Sequence, residues 1–289
     1  MISLKKVAII GAGTMGQGIA QWFAEQDASE VFLVDQSETF TEKARDQLIK
    51  VWDKLIEKKK INSSDKEKFL KKIKLATNST LPKDVDLVIE AIIENLEIKQ
   101  QLFSDLETKL GASTVFATNT SSFSVAAIAK NLSEARKKQF LGLHFFNPAS
   151  LMKLVEVIVG PETGHDLAQE FVDYFKQRSK NPVLCKDSPG FIVNRVARGY
   201  YGESLQILKN YDQDKIKEID LILKEVGGFK MGPFELMDLI GIDINLSVTE
   251  SVWNQFYQAP RFTPHQIQRQ LVNAGKFGKK TKKGFYSYE

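Results

Sequence analysis

One cysteine, Cys185, and three histidines are all the thiol and imidazole that the 289 residues carry. The single cysteine excludes an internal disulfide framework. No apolar stretch approaches the roughly 20 residues that span a bilayer, and charge interrupts every long segment, which excludes an integral membrane protein. Internal repeats and low-complexity tracts are absent as well. The amino terminus runs straight into an apolar strand pattern with no secretory leader, so a reducing cytoplasm is the expected home.

What is present is a globular composition, 43% hydrophobic and 26% charged, with a net charge of +4. Two domains are expected, since domains commonly hold about 100 to 200 residues. The charge is uneven: ten lysines fall between Lys50 and Lys74. They read either as a solvated helix face followed by a charged hairpin turn or as a dock for a small phosphorylated ligand. Nucleic acid is the weaker reading, because only Trp52 and Phe69 supply aromatic surface among those lysines.

The first half alternates short apolar runs with longer amphipathic segments. Residues 6–10, 31–34, 85–92, 114–117 and 140–144 read as buried parallel strands, and 14–26, 40–60 and 96–110 as helices. That alternation predicts an α/β fold with a doubly wound, mostly parallel sheet of the Rossmann type over residues 1–185. Beyond Phe191 the periodicity is helical, so residues 186–289 are expected to form an all-α domain.

Gly11-Ala12-Gly13-Thr14-Met15-Gly16 links the first strand to the first helix. Alone the glycine pattern is weak, but Asp35 follows Gly16 by 19 residues at the end of the next strand. Gly11 suits the tight turn, Gly13 the approach of a pyrophosphate, and Gly16 the packing of helix on strand, while free N–H groups at the helix start attract the phosphates. Asp35 accepts bonds from an adenosine ribose and repels a 2′-phosphate, which favours NAD over NADP. The alternative is a tight turn with no ligand.

His144, in Gly142-Leu143-His144-Phe145-Phe146-Asn147-Pro148, is the candidate acid/base, because an imidazole titrates nearest neutrality. A histidine there could instead cap a strand and satisfy a carbonyl. Two polar turns fall where other strands end, Glu90 to Asn95 and Thr118 to Ser122. Ser121 is the better ligand candidate, while Ser122 and Ser124 are equally well read as helix caps. Bland readings stand beside the rest: Glu156 flanking a sheet edge, Asn194 capping a helix, Glu235 pairing with a surface lysine, Cys185 as inert packing, and His165 and His265 at the surface or at helix ends.

The chain resembles the short-chain L-3-hydroxyacyl-CoA dehydrogenases, including 3-hydroxybutyryl-CoA dehydrogenases, over almost its full length. The resemblance rests on the glycine turn, Asn119-Thr120-Ser121-Ser122, residues 144–148, Met152 to Val157, Pro189 to Arg195, Met231 to Leu236 and Lys283 to Tyr286. It implies NAD-dependent oxidation of a 3-hydroxyacyl-CoA, with His144 as general acid/base, Glu156 orienting it, and Ser121 and Asn194 holding the reacting oxygen. Asn147 is implied as a further substrate contact. Ala91, Glu94, Lys99 and Asn119 fall at cofactor positions with Thr14 and Met15; Lys54, assisted by Lys58 or Lys60, falls where the family reaches CoA phosphates. No metal is implied, and a homodimer formed through the helical domain is. A related dehydrogenase of a free hydroxy acid or sugar acid, and a catalytically idle NAD-binding protein, are the other readings. Four places depart from the family pattern. Residues 131–136 look like an insertion for a surface loop to absorb, Ala149-Ser150-Leu151 and Lys230 stand where prolines are common, and Arg198-Gly199-Tyr200-Tyr201-Gly202 is unusually polar and glycine-rich.

Overall fold

A computed structural model describes residues 2–289. The chain divides into two compact units, the first ending at Asp187 and the second running from Ser188 to Glu289.

In the first unit β1 (Lys6–Ile10), α1 (Thr14–Glu25) and β2 (Glu30–Val34) open the fold, followed by α2 (Glu38–Glu57), α3 (Ser63–Lys72) and β3 (Ile73–Ala76). β4 (Leu87–Glu90), α4 (Leu96–Lys109), β5 (Val115–Thr118), α5 (Val125–Ile128) and α6 (Glu134–Lys137) lead to β6 (Phe140–Phe145). β7 (Leu154–Val159), α7 (His165–Lys176) and β8 (Asn181–Lys186) complete it. The strands form one sheet in the order β3-β2-β1-β4-β5-β6-β7-β8. Every adjacent pair is parallel except β6 and β7.

The central strands are buried end to end, as strands covered by helices on both faces must be. α1 lays Ile19, Ala20, Trp22 and Phe23 against them, and Trp22 and Phe23 meet Tyr174 and Phe175 of α7 in an aromatic cluster. Edge-to-face and tilted ring pairs of this kind add to the area they bury. Lys180, 5% exposed, donates 2.5 Å to the carbonyl of Ala149 and 2.6 Å to that of Met152. It pins the segment between β6 and β7, and burial lowers its pKa to about 8.

The structure corrects several expectations. β3, β7 and β8 are additional strands, and β8 runs through Lys186, one residue past the expected boundary. The lysine-rich segment holds a helix where a charged hairpin turn was one reading. Asn62 Oδ1 accepts from the Asp65 amide and Asp65 Oδ2 from the Asn62 amide, a reciprocal cap that starts α3. Trp52 is fully buried and donates 2.9 Å to Glu25, so α2 faces α1 with its indole and keeps Lys54, Lys58, Lys59 and Lys60 outward. Residues 131–136 are likewise no simple surface loop. Arg136, 5% exposed, donates 2.5 Å to the carbonyl of Thr114 and 3.0 Å to that of Gly111, and its guanidinium lies over Phe116.

The second unit holds α8 (Val193–Leu208), α9 (Gln213–Glu225), α10 (Pro233–Ile240), α11 (Ile242–Gln255) and α12 (Gln266–Asn273) around Leu205, Ile216, Phe234, Met237 and Phe285. Two buried aspartates close it. Asp220 accepts from the amides of Phe234 and Glu235 and from the Tyr286 hydroxyl; Asp238 accepts from the amides of Phe285 and Tyr286 and from the Tyr288 hydroxyl. A Cβ on Gly232 would lie 2.3 Å from Asp220, and one on Gly284 2.0 Å from Asp238. The motifs at 231–236 and 283–286 therefore have a structural reason in the packing of this unit.

Candidate active site

The carboxyl ends of the parallel strands gather the polar residues. At the end of β1, Gly11 adopts φ +108°, and a Cβ there would sit 2.5 Å from the carbonyl oxygen of Ala91. A Cβ on Gly16 would come 1.7 Å from the oxygen of Gly11, so α1 reaches its turn only through glycine. Gly13 is different: nothing lies within 4 Å of a Cβ added to it. The space beside Gly13 belongs to no part of the fold, α1 starts without a side-chain cap, and Thr14 is exposed on its first turn. Asp35 Oδ2 accepts 2.7 Å from the Ala12 amide, which ties the end of β2 to the turn. A pyrophosphate and an adenosine ribose fit this set of donors and acceptors.

The glycines can be separated by experiment. Gly13→Val is expected to melt within about 1 kcal/mol of the parent chain yet bind NADH on the order of tenfold or more weakly. Gly16→Ala should fail to fold normally. Fluorescence titration with NADH and thermal unfolding check both, and an unchanged affinity in Gly13→Val removes the turn from the cofactor site.

Glu90 ends the apolar β4 and is wholly buried. It accepts 2.5 Å from Lys99 Nζ, 2.7 Å from the Thr118 hydroxyl and 2.8 Å from the Ile92 amide. Burial pushes its carboxyl above the usual range despite Lys99. Lys99 is 1% exposed and also lies 3.1 Å from Glu94, so its ammonium is engaged by two carboxylates. Glu94 accepts from the Thr120 hydroxyl (2.5 Å), the Ser122 hydroxyl (2.9 Å) and the Ser121 amide (3.2 Å). Burial works to raise the Glu94 carboxyl, and Lys99 with those hydroxyls outweighs it, leaving the group below its ordinary value. The turn after β5 is thus clamped from behind, with Ser121 projecting from it.

His144 is the penultimate residue of β6 and faces Glu156 of β7 as a direct cross-strand partner. Opposed residues of an antiparallel pair point to one face with Cβ atoms roughly 5 Å apart. His144 Nδ1 consequently lies 2.7 Å from Glu156 Oε2, both side chains being buried. An ionised carboxylate accepts only, so Nδ1 carries a proton, and in the neutral ring Nε2 is left with its lone pair. Ser121 Oγ stands 3.1 Å from that Nε2. Asn119 joins the same edge by accepting 2.8 Å from the Phe145 amide. The unbroken sequence Glu94, Ser121, His144, Glu156 can hold a hydroxyl-bearing ligand and exchange a proton with it.

Of the other expected site residues, Asn147 is exposed in the segment after β6, Lys54 is exposed near the end of α2, and Asn194 lies in the first turn of α8 in the second unit. Among the capping alternatives, Ser124 caps α5 and accepts from the Ala127 amide, whereas Ser122 binds Glu94. Glu235 pairs with Lys224 at 2.8 Å, His265 caps α12, and His165 begins α7 in solvent. Cys185 is buried, which pushes its thiol up to about 12 and leaves it unreactive. Sequence reasoning missed Glu90, Thr118, Thr120 and Lys180 as supports. An acidic residue closing an otherwise apolar strand was the available signal for Glu90.

A doubly wound nucleotide-binding sheet with a buried imidazole–carboxylate dyad at its ligand edge defines a dinucleotide-dependent oxidoreductase. Family models agree: residues 6–188 match the 3-hydroxyacyl-CoA dehydrogenase NAD binding domain, and residues 190–288 the 3-hydroxyacyl-CoA dehydrogenase C-terminal domain. The chain is 40% identical over 294 residues to the mitochondrial hydroxyacyl-coenzyme A dehydrogenase of Sus scrofa, covering 100% of this chain and 92% of that protein. It is 41% identical over 289 residues to the 3-hydroxyadipyl-CoA dehydrogenase of Escherichia coli K12, covering 100% of this chain and 60% of that protein. The crystal structure of (S)-3-hydroxybutyryl-CoA dehydrogenase from Ralstonia eutropha superposes with a TM-score of 0.90 at 36% identity, covering 99% of this chain and 100% of that one. The chain belongs to the 3-hydroxyacyl-CoA dehydrogenase family and is an NAD-dependent oxidoreductase of that class.

Proposed function

We propose that the chain interconverts an L-3-hydroxyacyl-CoA, such as 3-hydroxybutyryl-CoA, and its 3-ketoacyl-CoA, with His144 as general acid/base. The observation that carries this is the contact sequence Ser121 Oγ to His144 Nε2 at 3.1 Å and His144 Nδ1 to Glu156 Oε2 at 2.7 Å. When bound, NAD supplies the acceptor for the hydride that leaves C3 of the substrate. His144 Nε2 takes the proton of the 3-hydroxyl in that direction and returns it to the oxygen in the other. Glu156 holds the ring in the tautomer that leaves Nε2 basic, and it balances the charge the ring acquires.

Ser121 donates to the reacting oxygen, with Asn194 and Asn147 completing its hold. The Glu94 clamp keeps Ser121 from swinging away, while Glu94, Lys99, Ala91 and Asn119 shape the nicotinamide end of the cofactor site. Gly11, Gly13, Gly16, Thr14 and Met15 receive the pyrophosphate, and Asp35 the adenosine ribose. Lys54, with Lys58 or Lys60 beside it, meets the phosphates of CoA as mobile point charges. The helical unit contributes Asn194 and serves as the surface through which two copies pair, and the cytoplasm is the proposed compartment.

NADH oxidation followed at 340 nm tests the substrate class. Acetoacetyl-CoA should be reduced at least about 100-fold more efficiently than free acetoacetate, a gap of nearly 3 kcal/mol drawn from the CoA portion. NADPH should serve poorly with either. Turnover of free acetoacetate matching that of the thioester would transfer the assignment to a hydroxy-acid dehydrogenase.

A further inference from the structure

Asp187 is the last residue of the first unit and stands outside the contact sequence of Glu94, Ser121, His144 and Glu156. Its amide donates 3.2 Å to the carbonyl of Val159, which holds the end of β8 to the end of β7. Its carboxylate reaches the start of α5. Oδ2 accepts 2.7 Å from the Ser124 hydroxyl and 2.9 Å from the Ala126 amide, and Oδ1 accepts 2.9 Å from the Val125 amide. These partners lie 61 to 63 residues away in sequence, so all three bonds are tertiary. The Ser124 hydroxyl also accepts 3.2 Å from the Ala127 amide and is thereby fixed from two sides. The first N–H groups of a helix lack partners within it, and a carboxylate that meets two of them together with a hydroxyl sets where the helix begins.

That beginning lies over the sheet, one rung away from the dyad. Gly142 pairs with Ile158 and His144 with Glu156, and residues two apart on a strand share a face. A Cβ on Gly142 would lie 3.0 Å from Val125 Cγ2 and 2.8 Å from Ile158 Cβ, so Val125, 1% exposed, occupies the space that the missing side chain leaves. Residues 121–125 therefore run along the face that carries the imidazole, with Ser121 Oγ at His144 Nε2 and Val125 at Gly142. Glu94 holds this segment at Thr120, Ser121 and Ser122, and Asp187 holds it at Ser124, Val125 and Ala126. Releasing either end loosens the 3.1 Å contact between Ser121 and His144.

We propose that Asp187 is a positioning residue for the proton-transfer site. It acts through Ser121 rather than on the reacting atoms: by fixing the start of α5 it sets the serine hydroxyl against the imidazole. The proposal rests on the proposed function only for the part that Ser121 and His144 play in the reaction; the placement is a property of the fold without substrate.

A kinetic cycle and a spectroscopic reading test it. Asp187→Ala should lower kcat for acetoacetyl-CoA by about 10- to 100-fold, the loss that a small misplacement at the reacting centre brings, with NADH affinity unchanged. In a Ser121→Ala background the same substitution should lower kcat by less than about twofold, because the group it positions is gone. The fall in Tm should be equal in the two backgrounds. Asp187→Asn, which keeps the volume and one acceptor oxygen, should recover part of the loss, and it serves for the cycle if the alanine variant does not fold. The second reading needs no turnover: with three histidines in the chain, nitrogen NMR resolves His144 Nε2, and Asp187→Ala should shift that resonance in the same direction as Ser121→Ala. Equal kcat losses in the two backgrounds, or an Nε2 resonance that the Asp187 variants leave in place, overturn the proposal. Wild-type protein that reduces no acetoacetyl-CoA while the variants share the shift would remove the reaction and leave the positioning standing.

Discussion

Replacing His144 with glutamine is expected to lower kcat by about 100- to 10,000-fold, the range seen when a general acid/base is removed, while NADH affinity stays at its wild-type value. Glutamine can fill part of the space and still donate toward Glu156, but its amide cannot take a proton at neutral pH. The cofactor turn at Gly11 to Gly16 sits at the ends of other strands and bonds to Asp35, so it is indifferent to the change. Adding Ser121→Ala should cost less in the double variant than the two single losses multiplied together, because Ser121 Oγ and His144 Nε2 act at one point, 3.1 Å apart. Pre-steady-state hydride transfer separates chemistry from product release. Undiminished turnover in His144→Gln would falsify the acid/base assignment, and fully multiplicative losses would detach Ser121 from it.

Lys99→Met should destabilise the first unit by about 3 to 5 kcal/mol at neutral pH, the cost of breaking a buried ion pair from one side. The apolar replacement fills the space of the lysine stem but leaves Glu90 buried and Glu94, 39% exposed, without their cation. The pH dependence has a definite sign. Glu90 already binds its proton more tightly in the folded protein than in the unfolded chain, so its share of stability is present at acid pH and lost as pH rises through its raised folded value. Removing Lys99 raises that value further, because the lysine is the chief influence opposing burial. The penalty should therefore shrink between neutral pH and pH values near the ordinary carboxylate range. Urea unfolding across that interval measures it. A penalty that grows on acidification would show that Lys99 does not serve to neutralise Glu90.

How much of this was legible in the sequence depends on how far the deciding interactions reach. The glycine turn is a local signal: φ +108° at Gly11 and the contact of Gly16 with Gly11 arise within six residues, so the pattern carries its own cause, and Asp35 supports it from the end of the next strand. His144 and Ser121 were identified by residue type and strand-end position, but their 3.1 Å approach belongs to the sheet order. β3 and β8 escaped because neither looks like a buried strand. β3 reads Ile-Lys-Leu-Ala with an exposed lysine, and β8 is largely solvent-facing at the sheet margin with a proline inside it. β7 was visible only as a motif, and nothing in its own pattern says that it runs antiparallel. Glu90 and Lys99 illustrate the converse: long-range desolvation turns two ordinary charged residues into a buried support, which no local periodicity encodes.

The reversal of chain direction between β6 and β7 has a consequence for how such an enzyme can change. The dyad is made by ladder register, His144 opposite Glu156, rather than by the intervening residues 146–153. Those residues can change without moving His144 and Glu156 apart, provided the ladder stays in step. A slip of one position along β7 would turn Glu156 to the far side of the sheet and silence the imidazole at a stroke. The ladder and its connection are thereby separately adjustable parts of one hairpin, so change in the connection need not begin by breaking the dyad.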